Sequence, residues 1–473
     1  MILARRRDID MTSGPLLSRM LVFIFPLMIT NILQSLYNAA DMIVVGYSNE
    51  ADAVGAIGTT GAFTGLILNL LIGLSVGANV VIARHIGARE QERASRAVHT
   101  AAILSVIIGV LGGAIGIAIA PAVMRAVGNT GRLLELSVLY ARVYFAAMPF
   151  HSLSNFAIAT HRAKGDTRTP LIVLSLAGLL NVCLNLFFVL VLKMSVEGVA
   201  IATGVAAALS AITLYIHLMW EKGPCHFSLR QLRMDVSEVK TILRIGLPAG
   251  VQNALFAISN IIIQSSIVQV NNALCDPNAA YQPVVKGNAA AANVAALGNT
   301  AITAAGHACV SFTSQNLGAK DYKRVRRVAA DGYLLLALIG VLVSAVMLLL
   351  RDPLLALYGV KPAQDELAQM AYSAACTRVL CLWPFYILDA WMTCGSDVLR
   401  GLGKSFLATL SSLIGVCALR IVWIYTVFRA FPTLSVVYIS YPITWALTAL
   451  ASLALVLHEL KKLKKRGTSP QNA

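Results

Sequence analysis

Apolar residues fill this chain in runs too long for a soluble core. The stretches 101–120, 171–192, 334–350 and 436–457 approach or reach the ~20 residues a helix needs to cross a bilayer. Polar and charged residues gather in short segments between such runs. The pattern predicts twelve spanning helices, near 20–46, 53–80, 99–126, 135–160, 170–192, 198–219, 244–270, 289–315, 329–350, 367–397, 405–428 and 435–458. The alternation that marks a spanning β-barrel is absent. The first apolar run begins near Leu21 and continues to Gly46, which exceeds a signal-peptide core, so it reads as the first span.

The expected fold class is therefore an all-α membrane protein. Its only extended polar segment between spans, 220–243, divides the chain into an N-lobe of six helices (20–219) and a C-lobe of six (244–458). A short segment, 1–19, precedes the first lobe, and a basic tail, 459–473, follows the second. The lobes read as copies of one unit. Ala141-Arg142-Val143, Met148-Pro149-Phe150 and Arg162-Ala-Lys-Gly165 correspond in order to Thr377-Arg378-Val379, Trp383-Pro384-Phe385 and Arg400-Gly-Leu-Gly403. Pro26 and Asn31 likewise correspond to Pro248 and Asn253, both 222 residues on. Six spans per copy give both copies the same orientation, which implies a pseudo-two-fold axis along the membrane normal, an arrangement used by transporters.

Composition agrees with the pattern: 58% of residues are hydrophobic and 13% charged, too few charges to coat a soluble domain. A net charge of +16 raises the possibility of a nucleic-acid partner, but its placement excludes one. Of the 38 Lys and Arg residues, 28 fall in the termini and loops of one side and 7 on the other, with Arg142, Arg378 and Arg420 inside spans. That bias is a positive-inside signal and predicts a multi-pass protein of the plasma (inner) membrane with both termini cytoplasmic. The eight cysteines follow no metal-ligand spacing. No Walker loop or His-Glu-x-x-His motif occurs, so neither an enzyme nor a cofactor is expected, and uphill transport would draw on an ion gradient.

Polar groups inside a bilayer are costly, so they mark candidate function. In the first span Asn31, Gln34, Asn38 and Asp41, spaced by 3, 4 and 3, share one helical stripe. The seventh span carries Asn253, Asn260 and Gln264 but no acid. Asn181 and Asn185 stand one turn apart in the fifth span, and Thr203 enters the sixth. Counted from the outer ends of their spans, Asp41, Asn185 and Thr203 lie at one height. A carboxylate, two amide oxygens and a hydroxyl at that height suit Na⁺, or a proton on the carboxylate. The tenth span adds Asp389, eleven residues before Arg400, and Asp397, expected near the inner end to reach the interface or pair with Arg400. Arg142 and Arg378 read as structural. Prolines at 26, 149, 248 and 384 predict bends at matched places, and Pro26, which shares a helix with Asp41, is the candidate hinge.

Several local sequences resemble the multidrug and toxic compound extrusion (MATE) transporters of bacteria. They are the run 26–46 with Tyr37-Asn38-Ala-Ala-Asp41 before Val45-Gly46, the Gly87-Ala88 loop, Arg162-Ala-Lys-Gly165-Asp166-Thr167, and Leu399-Arg400-Gly401-Leu402-Gly403. The resemblance covers about 15–460. It implies two six-helix lobes and the exchange of an organic compound for a cation. It also implies an N-lobe cation site at Asp41, Asn181, Asn185 and Thr203, with Asp389 as the matching tenth-helix acid. One departure is that no acid occurs in 251–260, where some members carry a seventh-helix glutamate, so the N-lobe is the expected ion site.

The sequence thus predicts a monomeric secondary antiporter in the lipid bilayer that exports amphiphilic, cationic organic compounds against Na⁺ or H⁺. Gln34, Asn38, Asp389, Asn260 and Gln264 are its expected substrate-binding or coupling residues. The alternative is a flippase for a lipid-linked precursor, which calls for a basic cavity.

Overall fold

The fold was analysed in a computed structural model, which describes residues 8–48, 50, 52–276 and 281–467. The arginines at 5–7 and the last six residues of the tail lie outside them. Among the described residues the chain is helical throughout, with no strand. The first half contains α1 (Leu16–Val45), α2 (Ala53–Gly87), α3 (Gln91–Ala126), α4 (Gly131–Ala146), α5 (Met148–Lys164), α6 (Arg168–Leu186) and α7 (Val196–Trp220). The second contains α8 (Val236–Leu274), α9 (Pro283–Gly318), α10 (Tyr322–Leu349), the short α11 (Arg351–Ala356), α12 (Glu366–Leu382), α13 (Tyr386–Gly401), α14 (Ser405–Ser412), α15 (Leu419–Trp423) and α16 (Leu434–Gly467).

Each expected span falls on helix. Among the described residues ten helical stretches are long and apolar enough to span alone, and the bent pair α4–α5 makes an eleventh. The α9 helix, on the expected eighth span, is not among them. The expected span at 135–160 is thus two helices meeting at 48°, with Pro149 at the start of the second. Its repeat counterpart Pro384 lies in a single 3₁₀ turn, Trp383–Phe385, between α12 and α13. Proline lacks the N–H that would continue the ladder, so these two positions end one helix and begin another. Pro26 behaves differently: it is buried inside an unbroken α1, and Thr30 Oγ1 donates to its carbonyl at 2.8 Å.

Packing divides the chain into two units, Met1–Ala254 with Ser314–Asp321, and Leu255–Thr313 with Tyr322–Ala473. The 220–243 segment lies wholly in the first unit, and the division runs through α8 and α9 instead. Glycine is the physical reason. The backbone of Gly250 occupies the space a Cβ on Gly73 would need, and the Ile242 carbonyl and Gly246 backbone do the same at Gly77. Side chains there would hold α2 and the start of α8 apart. The C-terminal end of α9 is held similarly: Gln315 Nε2 donates to the Ala163 carbonyl (2.6 Å) and Asn316 Nδ2 to that of Met11 (3.0 Å). The 220–243 segment is also docked on this unit. His99 Nε2 bonds to backbone atoms of Ser228, Phe227 stacks on the His99 ring (5.2 Å), and Asp235 N donates to Thr100 Oγ1 at 3.0 Å.

Within the first unit α1 packs on α6, α6 on α7, and α2 and α3 on α4 and α5. Its outer core is apolar and aromatic, with Leu71, Met124, Tyr140, Tyr144, Phe145 and Val189 buried and Phe63 edge-on to Phe145 at 4.9 Å. In the second unit α13 lies between α10 and α16, and α12 packs on α16.

Candidate functional site

The α1–α6–α7 layer positions the first group of candidate residues. Tyr37 lies flat against Gly178 of α6, where any Cβ would strike its ring, and its hydroxyl donates to the Ser175 carbonyl at 3.1 Å. That contact brings α1 against α6 one turn before Asp41. The helical spacing of Asn181 and Asn185 then places both amides on the face that meets Asp41.

Four of the expected residues come together there. Asn185 Nδ2 donates to Asp41 Oδ1. Asn181 Oδ1 accepts from Asn185 Nδ2 at 3.3 Å, and Asn181 Nδ2 donates to Thr203 Oγ1 at 3.3 Å. Turned over, the Asn181 amide donates to Asp41 Oδ1 at 2.9 Å and accepts from Thr203 N at 3.2 Å. Thr203 Oγ1 also donates to the Val199 carbonyl at 2.9 Å, one turn back in α7. Among the described residues no Lys, Arg or His forms an ion pair with Asp41. Asn185 Oδ1 is buried with no hydrogen-bond donor. An acceptor-only carboxylate thus lies beside an amide whose oxygen is orphaned, with a hydroxyl in the same hydrogen-bonded cluster. Such a set has oxygen lone pairs to offer and lacks a positive charge, which is what a bare Na⁺ or a proton supplies.

Gln34 and Asn38, on the same stripe of α1, are exposed and stand outside this cluster. Sharing a helical face does not place residues at the same depth.

The second group lies in the other unit. Asn260 and Gln264 are exposed on α8 and line a cavity of about 390 Å³ with Asn288, Asn299, Arg378 and Tyr441. Asn288 Nδ2 donates to Gln264 Oε1 at 3.1 Å. Asp389 is buried beneath this cavity, and Asn299 Nδ2 donates to its Oδ2 at 3.1 Å. The repeat-matched arginines differ sharply: Arg142 is exposed, whereas Arg378 is 9% exposed and bonded to Asn288 Oδ1 at 2.6 Å. Reading Arg378 as structural overlooked this, as it overlooked Asn288, Asn299 and Tyr441, whose roles depend on contacts across long sequence distances. Asp397 pairs with Arg400 as expected, at 2.7 Å.

A further ionic cluster lies where α5 turns into α6. Lys164 Nζ meets Glu221 and lies 3.8 Å from Asp166 and 3.9 Å from Asp8, while His161 Nε2 lies 3.2 Å from His217 Nδ1. Burial raises the Asp166 carboxyl, but His161, Lys164 and Thr169 together hold it below its usual range. With one lysine shared by three carboxylates, the cluster reads as a latch between α5, α6 and α7.

Comparison with known proteins bears on the family and the fold. The sequence profile of the MatE family matches residues 26–187 and 282–426. The probable multidrug resistance protein YoeA of Bacillus subtilis (strain 168) is 27% identical over 410 residues, 85% of each chain. Among solved structures, MATE in complex with MaL6 superposes with a TM-score of 0.87 at 23% identity, covering 98% of this chain and 100% of that one. A MOP superfamily transporter from Pyrococcus furiosus gives the same score and identity over 97% and 99%. At such identities the structural likeness speaks for the fold, and the profile match, which spans well over half of the sequence, speaks for descent. The chain belongs to the MatE family of multi-pass membrane transporters.

Proposed function

We propose that this protein exports amphiphilic organic compounds from the cell in exchange for Na⁺ or H⁺, and that the ion binds at Asp41, Asn181, Asn185 and Thr203. One observation carries the reading: among the described residues Asp41 has no ion-pair partner, and the Asn185 amide that donates to it leaves its own Oδ1 buried without a donor. A polar group left unsatisfied at such depth costs roughly 1–3 kcal/mol, and a lone carboxylate more, so a cation that satisfies both stabilises the state that holds it. Ion occupancy would then bias the protein between states with different substrate affinity, the requirement for coupling. Export of drug-like compounds is supported by the relatives, among them YoeA and the multidrug export protein MepA of Staphylococcus aureus. A plasma-membrane location with cytoplasmic termini follows from the loop charges, and a monomer suffices because the site lies within one unit.

The test is efflux of ethidium from proteoliposomes under an imposed Na⁺ gradient or an imposed pH gradient, applied separately. Efflux driven by one gradient establishes exchange and identifies the ion. Protein that folds and binds ethidium but responds to neither gradient would overturn the proposal.

A further inference from the structure

The second unit buries positive charge where the sequence predicts a site for cations. Arg378 is 9% exposed and Arg420 is 3% exposed, and the Nε of each is buried without an acceptor. Among the described residues neither forms an ion pair. Arg378 Nη1 donates to Asn288 Oδ1, which also accepts from the Tyr438 hydroxyl at 3.1 Å, and its guanidinium lies 5.5 Å from the Tyr438 ring and 5.8 Å from the Tyr441 ring. Arg420 stacks on Tyr441 at 3.9 Å, and its Nη2 donates to Thr444 Oγ1 at 3.0 Å. These contacts are neutral: amide, hydroxyl and ring face. Asp389 is the acid facing Arg420, beyond ion-pair distance, with one oxygen engaged by Asn299. Counting Asp389 as ionised, the group holds one positive charge in excess. Arg378 lines the 390 Å³ cavity, whose other polar groups are amides and the aromatic side chains of Tyr386, Tyr441 and Trp445, so no carboxylate stands in its wall.

Two guanidiniums are too costly to bury as packing, because each requires a carboxylate, a phosphate or water to replace its hydration. Arginine presents its N–H groups as a rigid fork that matches planar or tetrahedral oxyanions, and Arg378 stands in the cavity wall. The neighbouring amides of Asn260, Gln264 and Asn299 can add further hydrogen bonds without adding charge.

We infer that the cavity lined by Arg378, Asn260, Gln264, Asn288 and Asn299 binds an anionic group, a carboxylate or phosphate, carried by the transported molecule. The inference rests on the transport reading above only for the word transported, since binding itself needs no ion gradient. It changes the expected substrate class from organic cations to amphiphiles bearing an acid, alone or as zwitterions.

The experiment is equilibrium binding by fluorescence anisotropy, with the full chain in phosphatidylcholine nanodiscs. Two probes share a xanthene core: carboxyfluorescein carries negative charge and rhodamine 123 positive. The expected result is saturable binding of carboxyfluorescein and a roughly 10- to 100-fold weakening in Arg378→Gln, the range for a lost charge-assisted hydrogen bond. Gln264→Glu keeps the acceptor for Asn288 and adds a negative charge to the wall. It should weaken carboxyfluorescein and strengthen rhodamine 123, and it keeps the test decisive if Arg378→Gln does not fold. Competition identifies the source of the anion. Displacement by inorganic phosphate or benzoate supports a soluble substrate, whereas displacement by phosphatidylglycerol alone assigns the site to a lipid headgroup and overturns the substrate assignment. Tighter binding of rhodamine 123 by the wild type, or unchanged carboxyfluorescein binding in both variants, overturns the anion site. Because no gradient is imposed, failure here leaves the exchange proposal standing, and the reverse also holds.

Discussion

Replacing Asp41 with asparagine separates a cation site from a helix-packing contact. The substitution keeps shape and keeps an oxygen that can accept from Asn185 Nδ2 or Asn181 Nδ2, so the cluster's hydrogen bonds survive. Only the charge is lost. At a cation–oxygen distance of about 2.4 Å and an effective dielectric near 20, the carboxylate attracts a monovalent cation by about 7 kcal/mol. Much of that is offset by stripping water from both ions, which leaves a net difference of roughly 2–4 kcal/mol, or about 30- to 1,000-fold in affinity. The empty protein should respond in the opposite sense. Removing a half-buried charge that, among the described residues, has no ion-pair partner relieves its desolvation, so Asp41→Asn without Na⁺ should unfold at the same temperature as the wild type or higher. The assay is thermal unfolding in detergent across a Na⁺ series at constant ionic strength, repeated across pH. A wild-type site filled at 100-fold its dissociation constant gains about 2.7 kcal/mol of stability. At the same Na⁺ concentration a site weakened 30- to 1,000-fold should gain only about 0.9 down to about 0.1 kcal/mol. If the proton is the coupled ion, the variant mimics the protonated site and loses the wild type's pH-dependent gain instead. An Asp41→Asn protein that melts lower without Na⁺, or that keeps the wild type's full ion-dependent gain, would refute the reasoning.

Other outcomes follow from the same contacts. Asn185→Ala removes the orphaned acceptor and a donor to Asp41, and should weaken ion-dependent stabilisation by roughly 10-fold in the same titration. Gly77→Leu should force α2 from the start of α8 and lower the melting temperature by the equivalent of about 3 kcal/mol, whereas Gly58→Ala, with open space around it, should be close to neutral. Lys164→Met leaves Glu221, Asp166 and Asp8 without their shared cation and should cost about 3 kcal/mol in thermal stability, with partial recovery when Glu221→Gln is added.

Much of this architecture is legible in the sequence because a bilayer imposes length. Spans appear as apolar runs, and depth can be counted from their ends, which is why Asp41, Asn185 and Thr203 could be matched before their hydrogen bonds were seen. Helical period adds Asn181. Gln34 and Asn38 show the limit of that signal, since period gives a face and not a level. The repeat misleads at Arg142 and Arg378: local sequence treats them alike, but only Arg378 meets Asn288 and Tyr438, 90 and 60 residues away. The prolines were visible as bends, but the sequence does not distinguish Pro149, which opens a new helix, from Pro26, which sits in an unbroken one. The division through α8 and α9 depends on glycines whose partners lie about 170 residues along the chain.

That Asp41 has no ion-pair partner among the described residues has an electrical consequence. A carboxylate already neutralised by a fixed lysine would carry no net charge when empty. This one is negative when empty and neutral when a monovalent cation fills it. Under the proposed exchange the loaded site crosses the membrane field without work, while the return of the empty site toward the outside moves negative charge outward. An inside-negative membrane potential favours that return by up to about 2.3 kcal/mol per 100 mV. Export of an uncharged compound would therefore continue with equal ion concentrations on both sides, driven by voltage alone.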